Sequence, residues 1–429
     1  MGRLSQLRMN SIARNTGWMA IGQGMNFFLQ AGYFLLVARL LGTTEYGVFA
    51  GAFALVNLVM PYSALGFPMI FMRYVSADRN TARWNWGNLV AVIAVMTLLI
   101  AGILSVASAK LLGLDRIGLV VILVLSSCGM SQVVNAASTV FQTYELLKAT
   151  AALQVLSNLL RVVAIAALMV WMGHATAFQC AIAILGSSTF ACLIAIVLVH
   201  GRIGGMHFSG RALRQRLWEG VGFSFAGSTQ SAYNDIDKLM LSHYGMNAAN
   251  GIYTMAYRIV DFATTPVTAI DSAVLPRYFS LSMSGFASVK KLASKIVPTA
   301  ILAGLAATAF TLLGSPLIVP LIGHGFAETL LVIRWLCWLP PLRGVHQLAG
   351  GVLTATGRQS LRTAAQCSVA MMNLVLNLLW IPAHGWRGAA WASLIADGVL
   401  GVLNVSLVFI VIPRVTRSMH QSLCEEQLQ

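Results

Sequence analysis

GVFAGAFALVNLVMPYSALGFPMIFMRYVS, residues 47–76, and GIYTMAYRIVDFATTPVTAIDSAVLPRYFS, residues 251–280, each open on a glycine, place an aromatic residue two positions on, and close just past an Arg-Tyr pair. Gly47 stands 26 residues before Arg73, and Gly251 stands 26 before Arg277. Upstream, Leu41-Gly42 and Tyr244-Gly245 continue the match with a shift of one residue. The offset of 204 residues is close to half of the 429-residue chain, so the sequence reads as two homologous halves. A weaker echo links FQTYELLKATAALQVLSNLLRV, from Phe141, with TATGRQSLRTAAQCSVAMMNLVLN, from Thr354.

The medium these halves occupy follows from composition. Hydrophobic residues make up 58% of the chain and charged residues 10%, with a mean hydropathy of +0.76; soluble domains carry about 25% charged residues. Apolar runs of roughly 20 residues, the length that crosses a ~30 Å hydrocarbon core, predict about twelve membrane spans. They lie near 17–41, 46–70, 87–110, 117–140, 150–172, 176–199, 219–242, 250–274, 296–320, 328–354, 364–382 and 389–412. The expected organisation is an all-α integral membrane protein: a six-helix bundle over 1–200, a basic cytoplasmic linker over 201–217, and a second six-helix bundle over 218–429 with a short tail. Six is even, so both halves enter the membrane in one direction and form parallel repeats about an axis along the membrane normal. Pro61, Pro68 and Pro266 predict kinks or unwound turns in the repeat-related spans.

The formal charge of +15 is a topology signal. With the N-terminus inside, the cytoplasmic side receives Arg3, Arg8, Arg14, Arg73, Arg79, Arg83, Lys148, Arg202, Arg211, Arg214, Arg216, Arg277, Lys290, Lys291, Lys295, Arg358, Arg362, Arg414 and Arg417, against Lys110, Arg116 and Arg387 outside. That asymmetry places both termini in the cytoplasm, and anionic headgroups rather than nucleic acid are the expected partner of the basic surface. The first apolar stretch is too long for a cleaved signal peptide and is expected to stay as span one. The six cysteines show no metal or redox spacing and read as small core residues, with Cys424 in the tail. Tyr74 and Tyr278, and tryptophans such as Trp335 and Trp391 at span ends, read as interfacial anchors.

The stretches ARNTGWMAIGQGMNFFLQAGYFLLVARLLGTTEYGVFAGAFALVNL, SAYNDIDKLMLSHYG, GIYTMAYRI and TATGRQSLRTAAQ resemble bacterial polysaccharide-transport proteins, the Wzx-type oligosaccharide flippases. These belong to the multidrug/oligosaccharidyl-lipid/polysaccharide (MOP) exporter superfamily, with the lipid II flippase and the multidrug and toxin extrusion (MATE) antiporters. The resemblance covers essentially the whole chain. It implies two six-helix bundles in a V and movement of undecaprenyl-diphosphate-linked oligosaccharides, such as O-antigen, exopolysaccharide or capsule precursors, from the inner to the outer leaflet of the bacterial cytoplasmic membrane. A polysaccharide polymerase complex is the further partner it implies, and no cofactor. Twelve spans lack the two extra helices of the lipid II flippases.

Six cations fall inside predicted spans, Arg39, Arg161, Lys238, Arg258, Arg334 and Arg343, with five acids, Asp235, Asp237, Asp261, Asp271 and Asp397. At roughly 2.5–3.5 kcal/mol for a charge at a helix centre, these residues are expected to face a cavity, a partner helix or each other. Asp235 with Lys238, and Arg258 with Asp261, stand three apart on one helix face, so local neutralisation is one reading of both pairs. Arg161 and Arg343 have no acid within four residues and lie near mid-membrane. A guanidinium so placed suits a diphosphate, since its planar fork matches phosphate oxygens; pairing with a distant acid such as Asp397 or Asp271 is the other reading. Arg258, Arg334, Arg39 and Lys238 complete the candidate cationic set, with Asp261, Asp397 and Asp237 as candidate ion-coupling acids. Two further functions compete. A multidrug antiporter of the same fold would favour an acid-dominated cavity. A membrane glycosyltransferase, polymerase or ligase would require catalytic residues on substantial outer loops, whereas every predicted outer loop is about ten residues or fewer and no nucleophile, metal or phosphate-loop motif is present. The chain therefore reads as a transporter and not an enzyme.

Overall fold

The computed structural model describes residues 2–282 and 285–411, with side chains left undescribed for residues 2–20 and at further positions between 211 and 232 and at 287, 410 and 411. The tail bearing Arg414, Arg417 and Cys424, and the side chains of Arg3, Arg8, Arg14 and Arg211, lie outside what is described. Among the described residues every element is helical. The chain separates into two compact units, Met1–Gly251 and Ile252–Gln429.

The first unit contains α1 (Gly2–Val59), α2 (Phe67–Ala77), α3 (Ala82–Leu111), α4 (Ile117–Val124), α5 (Ser131–Thr143), α6 (Leu147–Met172), α7 (Ala177–Ile203) and α8 (Gly210–His243). α9 (Asn247–Ser282) starts here and continues into the second unit, which holds α10 (Phe286–Gly314), α11 (Ile318–Ile322), α12 (Thr329–Leu336), α13 (Leu339–Ala355), α14 (Gln359–His384) and α15 (Trp386–Ser406). Eight helical segments among the described residues are long and apolar enough to cross a membrane. The first, Ile21–Ala77, has 57 residues, about twice what one crossing needs. It breaks at Gly42 (φ 68°, ψ 178°), between predicted spans one and two. The three remaining predicted spans fall on α8, α9 and α12–α13; α9 carries Arg258 and Asp261, and the last is interrupted between Leu336 and Leu339, leaving helices of 8 and 17 residues. The protein is thus a multi-pass, all-α membrane protein.

Proline and glycine set the interruptions. Pro61 lies in a 3-10 turn, Met60–Tyr62, and Gly66 (φ 65°) starts α2 with Pro68 in its first turn. At Pro266 no unwound turn forms, since α9 runs through Pro266 and Pro276 as one helix. The Thr264 hydroxyl donates to the Val260 carbonyl at 2.7 Å in the same stretch, a back-bond of the kind that bends a helix without ending it. α4 and α5 are joined by a π-turn, Leu125–Met130. The connection expected over 201–217 is mostly helix: α7 reaches Ile203 and α8 begins at Gly210. The intervening residues dock on α3, where Asn88 bonds both the N–H and the C=O of Ser209 and Arg83 Nε donates to Ile203 O at 2.9 Å.

Within the first unit, Phe67, Phe71, Trp86, Leu89, Val140 and Phe141 build an apolar core between α2, α3 and α5. Gly47 and Gly51 form a GxxxG edge on the second half of α1. A Cβ at Gly51 would strike Ser242, and one at Gly47 would strike the carbonyl of Asn247; reciprocally, one at Gly251 would strike the carbonyl of Thr43. Thr43 and Asn247 are separated by the same 204 positions as Gly47 and Gly251, so the duplication reappears as a symmetric close contact. In the second unit Val274, Tyr278, Val289, Val352 and Leu353 pack α9, α10 and α13, and Gly388 admits α15 against the backbone of Trp380.

Candidate functional site

The second unit gathers charges from three helices. Arg343, in the second turn of α13, donates from Nη1 to Asp261 Oδ1 of α9 at 2.6 Å, from Nη2 to the Tyr257 hydroxyl at 2.6 Å, and from Nε to Asp397 Oδ2 of α15 at 3.4 Å. His346 Nε2 approaches Asp397 Oδ1 at 3.3 Å. The Asp397 side chain is 2% exposed and that of Arg343 11%, whereas Asp261 keeps 36% open. The reading in which Arg343 pairs with a distant acid is the one found. Two carboxylates, from α9 and α15, face one guanidinium. Asp261 therefore has Arg343 as its ion-pair partner, although Arg258 is nearer in sequence.

The first unit treats its mid-span arginine differently. Arg161 lies on α6, about 21 Å along the helix from Leu147. Its Nη2 donates to Ser131 Oγ at 2.6 Å, and Ser131 in turn donates to Ser126 O in the π-turn and lies 3.4 Å from Ser188 Oγ. Arg161 Nε is buried without a partner. One turn earlier on α6, Asn158 donates to Asn26 of α1 at 3.0 Å. Among the described residues no carboxylate lies within ion-pairing distance of Arg161. Its bonded partner is a hydroxyl, held in turn by a π-turn of the kind that often marks functional positions.

The third charge group, on α8, is local. Lys238 Nζ pairs with Asp235 at 2.7 Å and lies 3.9 Å from Asp237, and Asn57 of α1 donates to Asp235 at 3.1 Å. All three charged side chains are nearly buried, and the group ties α8 to α1. Arg39 and Arg334 are exposed, and Arg258 is half-buried on α9. Asp271 lies against Gly351 and within electrostatic reach of Arg362.

A family profile described as polysaccharide biosynthesis protein matches residues 12–282, well over half of the chain. The chain belongs to the polysaccharide biosynthesis protein family. Among solved structures, this family member resembles the lipid II flippase MurJ in an inward closed conformation, with a TM-score of 0.74 at 13% identity over 91% of this chain and 87% of that one. It also resembles an inward-facing multidrug resistance MATE transporter of the MOP superfamily, with a TM-score of 0.73 at 13% identity over 91% and 96%. A third similar structure is a MOP superfamily transporter from Pyrococcus furiosus Vc1, whose binding pocket is described as having reverse polarity (TM-score 0.61, 15% identity, 93% and 96% coverage). At these identities the likeness establishes the MOP fold. No curated protein matches the sequence.

Several residues of this polysaccharide biosynthesis protein's polar clusters escape sequence reasoning. His346 follows Arg343 by three positions and Tyr257 precedes Asp261 by four, spacings that share one helix face. Ser131 opens SQVVNAASTVFQT, a polar pattern inside an otherwise apolar predicted span.

Proposed function

We propose that this protein translocates undecaprenyl-diphosphate-linked oligosaccharide repeat units from the inner to the outer leaflet of the cytoplasmic membrane by alternating access, with both termini cytoplasmic. The two homologous halves meeting at the 201–217 connection are the moving parts of this reading, which involves no covalent chemistry. The observation that carries it is Arg161: a guanidinium whose buried Nε has no hydrogen-bond partner, oriented by a serine hydroxyl and with no carboxylate near it among the described residues, inside a membrane-length helix. Such a group attracts a diphosphate strongly, because charge-assisted bonds to phosphate oxygens replace a cost the empty site otherwise carries. Family membership supports a cargo from polysaccharide assembly. Arg343, neutralised by Asp261 and Asp397, serves instead as part of a coupling network in which Asp261, the open acid, exchanges with a cation.

The pair of carboxylates about Arg343 is also the observation favouring the second reading, a cation-coupled multidrug antiporter. One experiment separates them. Lipid-linked sugars are extracted from cells lacking the protein, and the leaflet of the accumulated material is probed with an impermeant sugar-modifying reagent. Completed repeat units trapped on undecaprenyl diphosphate in the inner leaflet are the expected result. Normal delivery to the outer leaflet would remove the flippase reading and make drug efflux the next assay.

A further inference from the structure

α5 is inside out for a membrane helix. It belongs to the membrane-length segment Leu114–Thr143. One face, Val133, Val134, Ala136, Ala137, Val140 and Phe141, is buried in the apolar core of the first unit. The opposite face carries Gln132, Asn135, Thr139 and Gln142, with Asn135 and Gln142 exposed and the others half-buried. Steps of three, four and three residues keep these four side chains in one line, roughly 15 Å long. The other spanning helices of this unit expose hydrocarbon: Leu98, Leu99 and Ile103 on α3, and Phe190, Leu193 and Val197 on α7. An amide facing lipid would leave donors and acceptors unmade at a cost of several kcal/mol each, so the α5 face meets water or a polar ligand.

The chemistry of the face narrows that ligand. Asn135 Nδ2 donates to Gln132 Oε1 at 3.2 Å, and Thr139 Oγ1 donates to Asn135 O at 3.2 Å. The Gln132 amide protons, Asn135 Oδ1 and the Gln142 amide remain available, a mixture of donors and acceptors without charge. A phosphate would call for cations and a cationic drug for carboxylates or rings, none of which stand in this line. Sugar hydroxyls, each both donor and acceptor, match it. The line also ends where Ser131 receives Arg161, so a diphosphate held there would continue directly onto it.

We propose that Gln132, Asn135, Thr139 and Gln142 form a saccharide-binding face that reads the sugars nearest the diphosphate of the cargo. The inference rests on the flippase reading above and adds the element that sets sugar specificity. Its test uses the purified full-length protein and two probes: undecaprenyl diphosphate, and the native lipid-linked oligosaccharide extracted from cells lacking the protein. Wild-type protein binds the second probe more tightly. The double substitution Asn135→Leu with Gln142→Leu is expected to lower affinity for the oligosaccharide probe roughly tenfold, as loss of one or two hydrogen bonds would, and to leave undecaprenyl diphosphate unaffected. Asn135→Ser with Gln142→Asn, which keeps polar groups on the line, restores part of the difference. Unchanged binding of both probes, or an equal loss for both, would overturn the saccharide face while leaving the diphosphate site standing. Failure of wild-type protein to bind either probe would instead bring down the flippase reading and this inference with it.

Discussion

Arg161 and Arg343 are alike in sequence, each near the middle of a span with no acid within four residues, and the two units surround them in opposite ways. In the second unit, two carboxylates and a tyrosine hydroxyl occupy all three nitrogens of Arg343. In the first, Arg161 has one serine hydroxyl and an idle Nε. A guanidinium with its counter-ions already in place is an internal clamp, costly to disturb and with little left to offer an anion. One supplied only with neutral partners keeps its charge for something that arrives. The arrangement costs about 2.5–3.5 kcal/mol by membrane-insertion scales, the kind of local disfavour that folds retain at functional positions.

The largest expected effect breaks the clamp. Arg343→Ala leaves Asp261 and Asp397 together without a cation and should destabilise the protein by about 3–5 kcal/mol, read as a lowered thermal midpoint of the detergent-purified protein. Adding Asp397→Asn should recover part of that loss. A midpoint equal to wild type for the single variant would mean the network does not hold the second unit together. A smaller effect comes from making the two sites alike. Ser131→Asp brings a carboxylate to the Nη2 of Arg161 and should lower affinity for undecaprenyl diphosphate by roughly ten- to thirtyfold, with the thermal midpoint kept or raised. Undiminished affinity would show that the absence of an acid beside Arg161 is incidental.

The features legible in the sequence were those set by neighbours along the chain. Among the described residues the predicted spans fall on helical segments because apolar length is a local property, with interruptions at 60–66 inside span two and at 337–338 inside span ten, and the Gly42 and Pro61 breaks follow from a positive-φ glycine and a proline. The Asp235–Lys238 pair was readable because three residues make one face. Arg343 was not, since its partners lie 54, 82 and 86 positions away and only the packing of α9, α13 and α15 decides which acid it meets. Asp261 shows the limit most sharply: its neighbour at three residues, Arg258, lost it to a residue on another helix. The polar line of α5 was written plainly in SQVVNAASTVFQT, yet its meaning depended on knowing that Val133, Val140 and Phe141 point into the core.

The most direct measurement of the central claim is the affinity of purified full-length protein for undecaprenyl diphosphate in wild type, Arg161→Ala and Arg161→Lys, with the thermal midpoint read on the same samples. Loss of a charge-assisted phosphate contact should cost the alanine variant about 2–3 kcal/mol, roughly thirty- to 150-fold in affinity, with partial recovery in the lysine variant and no fall in midpoint. Equal affinity in all three proteins, or a loss that merely follows a falling midpoint, would contradict the assignment of Arg161 as the diphosphate site.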